Sequence, residues 1–349
     1  VGVHTVGAGG GSIAWIDAGG ALRVGPRSAG SCPGPACYAR GGREATVTDA
    51  NVVLGRIDPE ARLGGTLEID PDLAHRAVQR IAEGIGSSPI EAALGILAIA
   101  EETMAGAVRS VSVARGHDPS GSHLVAFGGA GGLHGAAVAR RLGMSGVVVP
   151  PAAGVLSAVG LVLSPPRADA VRAVLITDGD LDPARTAADE LLDVTRTSID
   201  SSDSDASRTG FQLDVRYLGQ AHEIVVPWHP DEEIGAVSGR FAKVHHERYG
   251  FDRSGDPIEI VAVRATSVGR APLDRAPTTT APAGVVPGRR RVVGRDGIAR
   301  DTAVVDRSAV TADEALRGPA VIEERDTTIF VDHDEQVSLG VSGCLEVTW

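Results

Sequence analysis

Two stretches of this sequence put bare backbone where an anion can approach. VGAGGGSIAW, from Val6 to Trp15, sets Gly7, Gly9, Gly10 and Gly11 ahead of Ser12. AFGGAGGLHGAA, over 126–137, sets Gly128, Gly129, Ala130 and Gly131 between an apolar run and a helical one. Glycine costs backbone entropy on folding, so this density must answer a need of the main chain. A strand that turns into a helix N-terminus offers free N–H groups and the positive end of a dipole. Phosphate approaches such a turn where no Cβ stands in the way. The second stretch fits that description; it fits equally a tight crossover that needs glycine for packing alone. The first leads into a strand, where glycine N–H groups form either an anion nest or a plain hairpin entry. Ser12 adds a hydroxyl donor. His4 adds an acid or base, although a lone histidine is more often structural.

Neither stretch is a dinucleotide fingerprint. Ser12 and His134 occupy the third glycine position, and the second stretch lacks the acidic residue expected about 20 positions on. Lys243 is the sole lysine, so there is no P-loop and one Schiff-base candidate. The odd set Cys32, Cys37 and Cys344 is no disulfide framework and suits a reducing cytoplasm. Cys32 and Cys37 lack a second Cys/His pair for zinc, and Cys37 as a nucleophile has no histidine placed beside it.

These residues need elements to hold them. SIAWID and ALRVG read as a hairpin, with Asp17 in its turn. GPRSAGSCPGPACYARGG reads as an ordered loop, and TVTDANVVLGRI as a strand and a turn into a helix. Asp70-Pro71 starts a helix running to about Gly84. Ser88-Pro89-Ile90-Glu91 is a capping box for a longer helix, ending near Gly116 and carrying Glu101 and Glu102. HLVAF and GVVVP read as buried strands flanking the helix LHGAAVARRLG, an α/β unit covered on both faces. Beyond Pro166 the character changes. Asp182-Pro183 caps a helix, FQLDVRYLG alternates with Asp214 outward, and a helix spans about Asp231 to Tyr249 with Gly250 as its cap. His245 and His246 on that helix read as a solvated face. SSDSDASRTG (201–210) reads as a mobile loop, and APTTTAPAGVVPGRRR as a connector. The final stretch reads as a small β-rich module. The expected domains are 1–166 and 167–349.

The whole chain sets bounds. Its 349 residues suit two or three domains. Apolar residues make up 43% and aromatics 3%, so the core must be aliphatic. A net charge of −12 argues against nucleic acid, and no apolar run is long enough for a transmembrane helix. No signal peptide is expected. The chain opens on Val1 with the glycine motif almost under way, and is expected to be part of something longer.

The stretch from Val3 to Ile57 resembles the hydantoinase A / 5-oxoprolinase family. So do LVAFGGAGGLHGAAVARRLGMSGVVVPPAAGVLSAVGL, DVRYLGQAHEIVVP, HHERYGF, IEIVAVRA and GPAVIEERDTT. The resemblance covers nearly the whole chain. It implies an α/β fold: part of an actin-like/Hsp70-like ATPase core, followed by an α+β region. It implies ATP-dependent opening of a small cyclic amide, or ketone carboxylation in some relatives, and pairing with a hydantoinase B-like subunit. By that resemblance Gly128, Gly129, Ala130 and Gly131 correspond to the adenosine-side loop, and Gly9, Gly10, Gly11 and Ser12 to the phosphate or substrate end. The family's Asp-x-Gly-Gly-Thr phosphate motifs have no counterpart; LGGT at 63–66 lacks the aspartate. The 349 residues alone are therefore expected to bind and hydrolyse ATP weakly or not at all.

Phosphoryl transfer from ATP needs positioning and charge stabilisation, with Mg²⁺ bridging the phosphates. Asp49 is the favoured carboxylate, with an N-cap or Asx turn an equal reading; His4 is the other catalytic candidate. His134 either touches nucleotide or ends the glycine loop. The rival to an enzyme is a non-catalytic module whose glycine loops pack against a partner.

Overall fold

The computed structural model describes residues 3–60, 62–63, 66–177, 179–199, 208–253, 255–271 and 287–349. In chain order the first elements are β1 (Ser12–Ile16), β2 (Leu22–Ser28), α1 (Val47–Val53), β3 (Arg62–Leu63), β4 (Leu67–Glu68), α2 (Pro71–Ile85) and α3 (Pro89–Val111). There follow β5 (His123–Val125), α4 (Gly131–Arg141), β6 (Gly146–Val149), α5 (Leu156–Leu163), β7 (Arg167–Ile176) and α6 (Asp182–Ser198). Then come β8 (Arg208–Tyr217), β9 (Ile224–Trp228), α7 (Ile234–Tyr249), β10 (Ile258–Val268), β11 (Gly288–Val293) and β12 (Ala299–Asp306). The last are β13 (Leu316–Arg317), β14 (Ala320–Glu323), β15 (Thr328–Val331), β16 (Gln336–Leu339) and β17 (Leu345–Thr348).

Local chemistry explains the helix ends. Asp70 accepts from the Leu73 N–H at 3.0 Å, Pro71 supplies a fixed φ, and Gly86 closes α2 at φ 68°. Ser88 and Glu91 cap α3 reciprocally, as the spacing predicts. Asp17 holds the β1–β2 turn by accepting from Gly19 and Ala21 N–H at 3.0 Å. TVTDAN differs from expectation. Its strand shrinks to a bridge between Ile13 and Thr46, and Thr46 with Asp49 forms a capping box for α1.

The chain divides into two compact units, Val1–Val159 with Thr278–Trp349, and Gly160–Pro277. The closing strands return to the first unit. β17 pairs antiparallel with β6, placing Val347 opposite Val147, in the sheet order β13-β16-β17-β6-β5. The sheet β11-β12-β14-β15 joins the same unit. Its Val321 and Phe330 share one aliphatic cluster with α1, α2 and α3, while Ile322 and Ile329 share another with β6 and α4. β5 and β6 run parallel around α4, the expected strand–helix–strand unit. However, β5 lies at a sheet edge and Val125 is 54% exposed, so it is not a buried strand.

In the second unit β7, β10, β8 and β9 form an antiparallel sheet in that order, sharing one core with α6 and α7. Two expectations fail there. Asp214 is buried because Arg264 pairs with it at 2.7 Å. His245 is 1% exposed, ringed by Tyr217, Phe241, Tyr249 and Phe251, and its Nδ1 meets the Phe251 carbonyl at 2.8 Å. His246 does face solvent. Residues 201–207 of the expected mobile loop and 276–286 of the expected connector lie outside the described residues, as does part of LGGT. No described helix is long and apolar enough to cross a membrane.

Candidate functional site

Both glycine stretches reach one concave surface of the first unit, a cleft of about 2270 Å³. Gly10 and Gly11 line it from one side, and Gly129 and Ala130 from another. Gly9, Ser12, Gly128 and Gly131 belong to the same two turns without lining the cleft.

The second turn is held by its neighbours. Gly128 has φ 91°, where a side chain is strained, and its N–H donates to the Ala153 carbonyl at 2.7 Å. The Thr327 hydroxyl donates to the Gly128 carbonyl, and Thr328 N–H donates to the Gly129 carbonyl. α4 begins at Gly131 with no side chain capping it. A Cβ on Gly129 would meet the Asp326 carbonyl at 3.5 Å, an ordinary contact, so local packing does not demand glycine there. Gly132 is a packing glycine: its Cβ would lie 2.6 Å from Ile329 Cγ1.

The first turn is tied to itself and to α1. Ser12 Oγ accepts from the Gly9 N–H at 3.0 Å, and Ser12 is 4% exposed, so its hydroxyl shapes the turn. Thr48 N–H and Oγ1 both donate to the Gly10 carbonyl. A Cβ on Gly10 would meet Thr48 Oγ1, and one on Gly11 would meet Ser28 Oγ, each at 2.8 Å. Packing and access thus both bear on this turn.

Asp49 is the third residue of α1 and shares a capping box with Thr46, the N-cap. Its carboxylate is fully buried and accepts from Ala36 N (3.2 Å), Cys37 N (2.8 Å), Thr46 N (2.9 Å) and Thr46 Oγ1 (2.7 Å). Both oxygens are engaged by these donors, and Asp49 is not among the residues that line the cleft. His4 is exposed and does not line the cleft. Cys37 is buried, and burial followed by the Asp49 charge pushes its thiol well up, which makes it inert. His134 neither touches the cleft nor ends the loop. It is 3% exposed, with Nε2 3.4 Å from Asn51 Nδ2 and Nδ1 3.3 Å from Glu101 Oε1.

The chemistry-bearing side chains of the cleft come from β11 and from the turns that follow β12 and β14. Arg307 pairs with Glu324 at 2.6 Å and donates to the Val149 and Gly343 carbonyls. Burial first, then the charges of Asp326 and Asp306, raise the Glu324 carboxyl above its ordinary value, against the pull of Arg307. Asp326 sits beside the Gly129 turn. Arg291 and Arg325 line the cleft, are exposed, and carry no ion pair among the described residues. Sequence reasoning missed this group. Its one local signal is EERD directly after the apolar run AVI, where charges crowd the end of β14.

Comparison with known proteins agrees with this architecture. Residues 1–170 match the hydantoinase/oxoprolinase family. An uncharacterized protein of Methanocaldococcus jannaschii is 38% identical over 98% of this chain and 50% of its own length. Caprolactamase subunit alpha of Pseudomonas jessenii is 34% identical over 99% of this chain and 52% of its own. The crystal structure of the ATP-dependent caprolactamase from that organism superposes with a TM-score of 0.73, covering 99% of this chain and 52% of that one. The acetophenone carboxylase gamma subunit of Aromatoleum aromaticum is 48% identical over 45% of this chain and 21% of its own. The chain spans about half the length of the first two of these relatives. The matched stretch, residues 1–170, is that of the hydantoinase/oxoprolinase family.

Proposed function

We propose that the protein containing these residues opens a small cyclic amide, a lactam or hydantoin, at the expense of ATP. The observation that carries this reading is the meeting of the Gly10–Gly11 and Gly129–Ala130 turns on one cleft, with Arg291 and Arg325 in no ion pair among the described residues. The kinship with an ATP-dependent caprolactamase adds the reaction class. An unactivated lactam is a poor electrophile, and ATP, when bound, supplies the phosphoryl group that turns the amide oxygen into an imidate-like ester open to water.

The residues fit such a ligand. The uncapped N-terminus of α4 and the room over Gly128 and Gly129 let nucleotide approach main chain. Arg291 and Arg325 offset phosphate charge. Glu324 and Asp326 are hard oxygen donors of the kind Mg²⁺ takes, and would hold it beside the turn. The first unit would then form half of an actin-like/Hsp70-like ATPase core. The names caprolactamase subunit alpha and acetophenone carboxylase gamma subunit favour work alongside another subunit, for which we propose a hydantoinase B-like chain in the cytoplasm. ATP-dependent ketone carboxylation is the second reading, favoured by the 48% identity to the acetophenone carboxylase subunit.

Gly129→Arg in the full-length protein tests the nucleotide reading. The variant should fold and lose about tenfold or more in ATP affinity; unchanged affinity and turnover would overturn it. We also propose that the 349 residues alone bind ATP weakly, because they lack the Asp-x-Gly-Gly-Thr motifs. Micromolar affinity in a calorimetric titration would contradict that.

A further inference from the structure

A second concavity, of about 430 Å³, is lined by residues of α3 and α4 together with Arg56 and Arg295, and shares no lining residue with the large cleft. Four arginines border it: Arg56, Arg140, Arg141 and Arg295. Glu101 is the one acid among its lining residues, and its carboxylate is already engaged by His134 and Arg141, both at 3.3 Å. Arg140 and Arg295 share Glu335, and each has a further aspartate, Asp334 for Arg140 and Asp332 for Arg295.

Arg56 has no such partner. It is 1% exposed and makes no ion pair among the described residues. Its Nε reaches the Val293 carbonyl at a long 3.4 Å, and its Nη2 has no acceptor; nor does Nε of Arg295. The guanidinium lies 4.4 Å from the centre of the Phe330 ring, with Arg295 5.5 Å from that ring. A cation–π contact offsets part of the cost of burying a charge, not all of it. Burial, with repulsion from Arg295, lowers Arg56 to about 10, which still leaves it charged at neutral pH. A buried cation with an orphaned donor, beside a concavity rich in arginine, calls for an anion.

The remaining walls select the kind of anion. Leu94, Ala98 and Ala137 present hydrocarbon to the same space, where bare phosphate would gain nothing. We propose that this pocket binds a small aliphatic carboxylate, its oxygens paired with Arg56 and Arg295 and its short chain against Leu94, Ala98 and Ala137. Guanidinium forks match carboxylate geometry.

The test is thermal unfolding at fixed ionic strength, without nucleotide, in butyrate, glutarate or inorganic phosphate. Butyrate or glutarate at tenfold its dissociation constant should raise the midpoint by roughly 2–4 °C, and phosphate by less. Ala98→Trp, at an exposed position on the pocket wall, should abolish the rise; Gly129→Arg, in the other cleft, should keep it. No rise, an equal rise with phosphate, or a rise that survives Ala98→Trp would overturn the proposal. A measurement on the unaltered protein stands beside it: magnetisation transfer from the butyrate methyl to the methyls of Leu94 and Ala98. Its absence at saturating butyrate would also overturn the assignment.

Discussion

The hydroxyl of Thr327 donates to the carbonyl of Gly128 at 3.1 Å and lies 3.3 Å from that of Gly129. One side chain from the loop before β15 thus fixes the turn that opens α4. Thr327→Val keeps the shape and removes the donor. It should cost about 1 kcal/mol of stability in urea unfolding and weaken ATP binding by the full-length protein several-fold. Thr327→Ser should behave as the unaltered protein; if Val does so too, the tether has no role in positioning the turn.

Asp49 is a fold-holding carboxylate. It ties the turn at Ala36 and Cys37 to the start of α1, and α1 carries Thr48, which binds the Gly10 carbonyl. Asp49→Ala should lower stability by at least about 3 kcal/mol, because several bonds to a buried charge are lost together. Asp49→Asn should also lower the melting temperature, since an amide has one acceptor oxygen where the carboxylate has two. A variant that loses turnover with an unchanged melting curve would return Asp49 to the chemistry.

The glycines divide into classes that substitution distinguishes. At Gly132 a Cβ would strike Ile329 and Thr328, so Gly132→Ala should destabilise by about 1–3 kcal/mol. Gly106 lies within α3 with open space around it, so Gly106→Ala should stabilise by about 0.5–1 kcal/mol. Equal effects at the two positions would contradict the packing assignment.

Acid stability should depend on Glu101. Burial raises its carboxyl, but the hydrogen bond and charge of His134, with Arg56 and Arg295, outweigh burial and hold it below its ordinary 4.5. A depressed carboxylate contributes stability that is present above its unfolded value and lost as pH falls through its folded one. Unfolding free energy should therefore drop as pH falls below about 4.5. Glu101→Gln should lower stability at pH 7 and flatten that part of the acid limb, as read by denaturant titrations at a series of pH values.

Local signals made much of this readable from sequence. Asp70-Pro71 and the Ser88–Glu91 box mark their helices because a cap is a contact between near neighbours. The two glycine turns also stand out, and so does the parallel pair around α4. The sequence does not show what meets them. Arg307 reaches the Val149 carbonyl across 158 positions, and β17 closes onto β6, pairings that no periodicity announces. Arg56 sits in a polar-looking turn and is nevertheless buried, because Phe330 and Val293 arrive from far along the chain. Asp49 shows the limit from the other side: a carboxylate at the end of an element looks alike whether it caps or catalyses, until its partners are known.

The most direct measurement is a crystal structure of the full-length polypeptide with a non-hydrolysable ATP analogue. The account predicts nucleotide atoms within about 4 Å of the main chain at both Gly10–Gly11 and Gly129–Ala130, with Arg291 or Arg325 turned toward phosphate. An analogue bound elsewhere, with both turns remote from it and covered by protein, would contradict the nucleotide cleft.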